Sequence, residues 1–229
     1  MVCLMLNMIH DLDEMLYPAY PGAHDIMGNA GAAAAIEDCG VALAFAAARA
    51  LIDRSYAERI DWRDLLVEEH GVDADHLHAA YHKRLDHRLI TPYPNLSQYF
   101  EALGAQASHV MLTHSAAEWA VRTVDHISLR PWFPDERILS WEKYKAHKGV
   151  STRGFEMALE KLGGVDPRDA VFGDDSLRNL ATAKAMGLTT VWTSHGQALP
   201  PGHSRTVDHV VENIEIFMKQ QVSQMTRKP

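Results

Sequence analysis

Asp11-Leu12-Asp13-Glu14-Met15-Leu16-Tyr17-Pro18 follows directly on an apolar run over residues 4–9. A short apolar run that ends abruptly in carboxylates reads as a buried strand whose carboxyl end opens on a crevice. Residues i and i+2 of an extended segment point the same way, so Asp11 and Asp13 are expected to face that crevice together. Open α/β sheets place their ligands there. Two carboxylates at such a point suit two tasks. One attacks a phosphorus atom; the other gives a proton to the leaving oxygen and later takes one from water. A solvated acidic loop can carry the same tripeptide, so the rest of the chain has to decide.

Working outward, four more apolar runs follow the strand pattern: residues 110–112, ending at Thr113; 170–172, ending at Gly173-Asp174-Asp175-Ser176; 189–192; and 207–211. Helical patterns lie between them. Ser115-x-x-Glu118 reads as a capping box opening a helix, with Trp119, Ala120 and Thr123 on one face. Phe155, Ala158, Leu159 and Leu162 recur at helical spacing before Gly163-Gly164, and Leu177, Leu180 and Ala181 open a helix that Gly187 ends. Trp119 and Trp192 read as core. The alternation predicts an α/β fold, a doubly wound parallel sheet. Residues 21–90 break it. An alanine-rich stretch over 30–52 predicts one or two helices, 62–70 a helix closed by Gly71, and 75–88 another. The expectation is an all-helical insert at 21–90 after the first strand, with the α/β core over 1–20 and 91–219. Pro92 and Pro94 mark the return to the core, and a polar, flexible tail is expected over 220–229.

Composition removes whole classes of function. The 229 residues include 22 basic and 30 acidic side chains, a net charge of −8, with a pI near 5.9. No long basic run is present, which argues against a nucleic-acid polymer as partner. With 47% hydrophobic and 23% charged residues the usage is globular. A chain of this length buries roughly 70–75% of its extended surface without metal or disulfide staples. Cys3 and Cys39 cannot form a disulfide framework and have no paired metal spacing, so a reducing cytoplasm is expected. The opening Met-Val-Cys-Leu-Met-Leu-Asn-Met-Ile lacks a basic flank and a cleavage site, and reads as a strand rather than a signal peptide. No apolar run is long enough to span a membrane.

The second acidic strand end sharpens the chemistry. Asp174 and Asp175 facing Asp11 and Asp13 would make a hard, all-oxygen site suited to Mg²⁺. Taken alone, the Asp174-Asp175 pair could as well be the acidic start of a helix. Thr113 stands where a hydroxyl can hold a phosphate oxygen. Lys148, with Lys145 as its rival, could neutralise phosphate and nucleophile charge. His78 and His82 have an i,i+4 spacing that could hold a transition metal, although a satisfied helix histidine explains it as well.

Together these residues resemble the haloacid dehalogenase (HAD) superfamily of phosphotransferases over nearly the whole chain. The family's D-x-D motif matches Asp11 and Asp13, its hydroxyl motif Thr113, its lysine motif Lys148, and its acidic motif Asp174 and Asp175, in that order. Within the superfamily, D-L-D-x-x-L-Y-P looks like the pyrimidine 5′-nucleotidase-like branch. So does Tyr81-His82-x-x-x-Asp86-His87-x-Leu89-Ile90-x-Pro92-x-Pro94-x-Leu96.

The resemblance implies a HAD-like core with a helical cap, and a Mg²⁺-dependent phosphomonoester hydrolase acting on nucleoside monophosphates. A sugar phosphate or other small phosphate ester, or a non-catalytic binding protein on this fold, are the alternatives. It also implies roles. Asp11 would form an aspartyl-phosphate and Asp13 would act as acid and base. Asp11, the backbone carbonyl of Asp13, and Asp174 or Asp175 would hold the metal, while Thr113, His114 and Lys148 would contact the phosphate. The partner expected is a small phosphorylated substrate, with no nucleic acid and no membrane, and the protein acting as a monomer or homodimer. The chain departs from the family pattern at His10, where an apolar aromatic is usual, and at Met15, where Thr is usual. It departs again at His114, where Asn is common, and at Lys148-Gly149, where Lys-Pro is usual.

Overall fold

The computed structural model describes residues 5–58 and 61–226; Cys3 and the expected first strand residue, Leu4, lie outside these. Among the described residues six strands form one parallel sheet: β1 (Leu6–His10), β2 (Ala107–Leu112), β3 (Ile138–Leu139), β4 (Ala170–Asp174), β5 (Thr189–Thr193) and β6 (His209–Val211). Their order is β3-β2-β1-β4-β5-β6. The chain therefore builds outward from β1 to one side, then restarts beside β1 on the other. That makes β1 the switch point, where a crevice opens at the strands' carboxyl ends. The register aligns those ends, with His10 opposite both Met111 of β2 and Gly173 of β4. The ladder continues one step past β1, where the Asp11 amide donates to the Gly173 carbonyl at 2.9 Å. Strand β3 escapes the sequence reading because two residues carry no periodicity.

The chain divides into two compact units, Met1–Ala19 with Ile90–Pro229, and Tyr20–Leu89. The regular structure of the second, among its described residues, is all helical: α1 (Ala23–Ala33), a π-helical turn (Ala34–Asp38), α2 (Phe45–Glu58), α3 (Trp62–His70), α4 (Ala74–Lys83) and a 3-10 turn (His87–Leu89). The alanine-rich stretch thus splits into two helices. Asp61 and Asp73 cap α3 and α4, accepting from the Arg63 and His76 amides at 2.9 and 2.7 Å. Gly71 ends α3 at φ +66°, as its lack of a Cβ allows. His78 and His82 are buried in α4, with His82 Nδ1 bonded to the His78 carbonyl at 2.8 Å. No metal-ligand cluster forms around them among the described residues.

In the α/β unit, α5 (Leu96–Leu103), α6 (Ala117–His126), α7 (Trp141–Tyr144), α8 (Arg153–Lys161), α9 (Leu177–Met186) and α10 (Ile214–Thr226) accompany the sheet. One core cluster joins strand residues Ile9, Val110 and Phe172 to Phe155 of α8 and Leu180 of α9. Phe155 meets Phe172 edge-on at 4.9 Å. Two expectations need correction. The tail expected from residue 220 continues as helix to Thr226, because Ile214, Phe217 and Met218 bury one face of α10. Glu215 at its start also bonds the Asn95 amide at 2.8 Å. The Ser115–Glu118 capping box does not form either. Helix α6 starts at Ala117 with no side-chain cap, and the Ser115 hydroxyl is engaged elsewhere.

His10 and His109 lie side by side on β1 and β2, 0% and 6% exposed, joined Nε2 to Nδ1 at 3.0 Å. Phe100 and Phe133 flank both rings. Neither outer ring nitrogen has a hydrogen-bond partner among the described residues. A charged imidazole is costly there. Burial first, and Arg137 second, push His109 down to about 3. His10 is also well below its usual value, by burial and by His109.

An unfolded histidine titrates near 6.5. Stability from a neutral buried His109 is therefore complete above that pH and is lost as pH falls from 6.5 toward 3. We expect urea denaturation to show a steep loss of stability between pH 6 and 4. His109→Leu should reduce that slope by about 1.4 kcal/mol per pH unit, one proton's worth. An unchanged slope would mean that the folded state takes up the proton.

Candidate active site

Three loops at the carboxyl edge of the sheet supply the site. Asp11 follows β1, Asp174 ends β4 with Asp175 next to it, and Lys148 lies between α7 and α8. Ligand oxygens of Asp11, Asp174 and Asp175 all lie within 4.8 Å of one another. Lys148 is 2% exposed. Its Nζ donates to Asp11 Oδ1 at 2.6 Å, to Asp174 Oδ2 at 2.8 Å and to the Leu112 carbonyl at 3.2 Å. Lys145 sits exposed at the end of α7, so the cluster takes Lys148. Asp174 is further held by the Ser176 amide at 2.7 Å and by Asn179 Nδ2 at 3.0 and 3.2 Å.

Electrostatics show what the cluster lacks. Burial raises Asp11 to about 7; Asp174 and Asp13 push the same way, and Lys148 opposes them. Asp175 is held well above the carboxylate range by burial, then by Asp174, Asp11 and Glu14. Burial alone would lower Lys148, but Asp11 and Asp174 more than offset it and keep the ammonium charged. Three carboxylates thus share one cation, so the site has room for more positive charge. Three hard oxygen donors within reach of a single ion fit Mg²⁺, which uses few carboxylates and completes its shell with water or phosphate oxygens.

Asp13 departs from the expectation of a shared strand face. Strand β1 stops at His10, and the chain turns, with the Leu16 amide donating to the Leu12 carbonyl at 3.0 Å and Glu14 at φ +57°. A positive φ is uncommon away from glycine. The turn leaves Asp13 outside the three-carboxylate group, although its charge still acts on Asp11. Asp13 Oδ1 accepts from the Tyr17 hydroxyl, and from Trp119 Nε1 at 2.9 Å; Oδ2 accepts from the Ser115 hydroxyl. Asp13 is not part of the three-carboxylate group, so any metal contact from it falls to its backbone, since its side chain is engaged elsewhere.

The remaining candidates also have definite places. Thr113 is fully buried; its amide bonds the Leu139 carbonyl at 2.9 Å and its Oγ1 accepts from the Ser115 amide at 3.0 Å. His114 Nε2 accepts from the Lys148 amide at 2.9 Å. Its ring therefore positions the lysine loop. Met15 fills the space beside Gly173, where a Cβ would come within 2.3 Å of its terminal methyl. Sequence reading missed Tyr17, Ser115 and Trp119 as site residues. The i,i+4 spacing of Ser115 and Trp119, directly after the second strand end, was the available signal.

The family model of haloacid dehalogenase-like hydrolases matches residues 8–187. Among curated proteins no significant match to the chain is found. Solved structures share the fold at low identity. A HAD phosphatase from Thermococcus onnurineus is 18% identical, covering 95% of this chain and 98% of that one, with a TM-score of 0.65. YfnB from Bacillus subtilis, in a form bound to magnesium, is 16% identical over 94% and 98%, with a TM-score of 0.62. L-2-haloacid dehalogenase from Xanthobacter autotrophicus, with chloropropionic acid covalently bound, is 13% identical over 95% and 98%, with a TM-score of 0.58.

Removing the one cation from this buried group should be costly. Lys148→Met is expected to lower unfolding free energy by about 3–5 kcal/mol, the usual penalty for breaking a buried ion pair from one side. Urea denaturation in metal-free buffer measures it. A loss below about 1 kcal/mol would show that Lys148 does not balance the carboxylates.

Proposed function

Because this chain belongs to the haloacid dehalogenase-like hydrolase family, we propose that it hydrolyses small phosphate monoesters through an aspartyl-phosphate on Asp11, with nucleoside monophosphates as its substrate class. The observation that carries the proposal is the second, separately held carboxylate, Asp13, two residues from the buried cluster. A halide leaves as a weak base and needs no proton. An alkoxide leaving a phosphate ester is a strong base and does. A carboxylate held by three donors beside the nucleophile has a task in the second reaction and none in the first.

In the first step an Asp11 oxygen attacks phosphorus, the ester P–O bond breaks, and protonated Asp13 gives its proton to the departing oxygen. In the second, Asp13, now ionised, takes a proton from water as that water attacks the aspartyl-phosphate; the acyl-phosphate bond breaks, freeing phosphate and restoring Asp11. Lys148, giving up one of its three present acceptors, and the Thr113 hydroxyl hold oxygens of the transferring group, and His114 holds Lys148 through its amide. Asp11, Asp174 and Asp175, with the Asp13 carbonyl, would hold Mg²⁺. When bound, the ion neutralises charge on the phosphate and the carboxylates around it. The phosphatase among the structural relatives, and the relative bound to magnesium, agree with this reading.

The nucleotide assignment rests on D-L-D-x-x-L-Y-P and on the Tyr81–Leu96 punctuation. The helical segment over 21–90 is proposed as the cap of the family fold. A net charge of −8 supports small solutes rather than nucleic-acid polymers. We assign the protein to a reducing cytoplasm, acting as a monomer or homodimer. No helix among the described residues is long and apolar enough to cross a membrane.

A phosphomonoester panel tests the assignment. We expect phosphate release with Mg²⁺, none with EDTA, and a loss of about 10³-fold or more in Asp11→Asn, as when a nucleophile is removed. UMP and CMP should be preferred to AMP and to sugar phosphates. Preference for sugar phosphates would move the substrate class. No release from any ester by folded protein would favour a binding protein instead.

A further inference from the structure

The hydrogen bonds around Asp13 constrain it more than an acid-base role requires. An ionised carboxylate has about four lone-pair positions, two on each oxygen. Both positions on Oδ1 are filled, by the Tyr17 hydroxyl and by Trp119 Nε1 at 2.9 Å. On Oδ2 one position is filled, by the Ser115 hydroxyl. An indole N–H can only donate, so Trp119 requires Oδ1 to remain an acceptor throughout the reaction. The three donors come from rigid places: Trp119, 1% exposed, lies within α6; Ser115 just precedes that helix; and Tyr17, 2% exposed, ends the turn after β1.

We propose that Tyr17, Ser115 and Trp119 are positioning residues that saturate Oδ1 of Asp13 and leave one position on Oδ2 as the only seat for the transferred proton. The proposal deepens the phosphatase reading and rests on it. Ser115 lies one residue before the N-cap of α6 and caps nothing, so its hydroxyl serves Oδ2, and the Ala117 amide bonds Glu142 at 3.2 Å. In the forward step the proton on Oδ2 passes to the ester oxygen as the P–O bond breaks. In the return step the same position receives the proton of the attacking water. Without the Trp119 N–H, the carboxyl can rotate and present either oxygen, and the proton is no longer aimed.

Leaving groups give the test. A p-nitrophenolate departs without protonation, whereas an alkoxide does not, so only alkyl esters should sense a misaimed acid. The kcat/KM values of Trp119→Phe, Tyr17→Phe, Ser115→Ala and Ser115→Thr are compared on p-nitrophenyl phosphate and on the best alkyl phosphate of the panel, with Mg²⁺. Trp119→Phe is expected to lose about tenfold or more on the alkyl ester, a fraction of what general acid catalysis supplies, and to stay within about threefold on the aryl ester. Tyr17→Phe should show the same selectivity, as should Ser115→Ala, with rescue in Ser115→Thr. Tyr17→Phe and Ser115→Thr are nearly isosteric and carry the test should Trp119→Phe fail to fold. Wild-type protein that cleaves both esters, with variants that lose both equally or neither, keeps the phosphatase reading and overturns this proposal. Wild-type protein that cleaves neither ester sinks the phosphatase reading, and this proposal with it.

Discussion

Lys148 sits where three carboxylates meet, and the arrangement of the sheet's carboxyl edge follows from that. Burying an ion costs several kcal/mol even after relaxation, and a cluster of like charges costs more. The chain meets this cost with one ammonium group bonded to Asp11 and Asp174 at once, with amide donors from Ser176 and Asn179 on Asp174, and with a strand order that makes β1 and β4 neighbours. Even so, Asp11 and Asp175 are displaced upward. A site built for stability alone would not keep this surplus of negative charge. The divalent cation proposed for it would balance that surplus.

Asp11 and Asp13 are two residues apart and live in opposite surroundings. Asp11 belongs to the buried ion cluster, facing Lys148. Asp13 belongs to a ring of neutral donors, facing Tyr17, Ser115 and Trp119. Such separation of environment is how one pair of carboxyl groups can serve as nucleophile and as proton carrier. The turn that achieves it is local: Glu14 adopts a left-handed φ, and Met15 lies against Gly173 of the neighbouring strand. Met15, which stands where a hydroxyl is common in the family, fills a packing role beside Gly173 of β4.

Much of this was legible in the residues. Apolar runs that end in Asp11, Thr113 and Asp174 announce strand ends, because a parallel strand buried on both faces has to be apolar until it reaches the crevice. Lys148 was a choice between two lysines until burial decided it. Other features were misread for identifiable reasons. Ser115 and Glu118 have the spacing of a capping box, but the helix begins one residue later, with Ala116 at the N-cap position and the Ala117 amide on Glu142, while the Ser115 hydroxyl donates to Asp13 from 102 positions away along the chain. Trp119 looks like core by its helical spacing, and it is buried; its N–H, however, finds a partner that periodicity does not register. His114, expected at a phosphate contact, also bonds the lysine backbone, a tie that no spacing registers.

The sequence by itself determined the class of fold, the order of the chemical groups and the kind of ion they suit, since apolar periodicity and residue chemistry are properties of short stretches. The tertiary structure alone decided which lysine is buried, where the Asp13 carboxylate points and which donors hold it. Those outcomes depend on competition among groups distant in the chain for the same few hydrogen-bond positions, and only the register of β1 against β2 and β4 brings the competitors together.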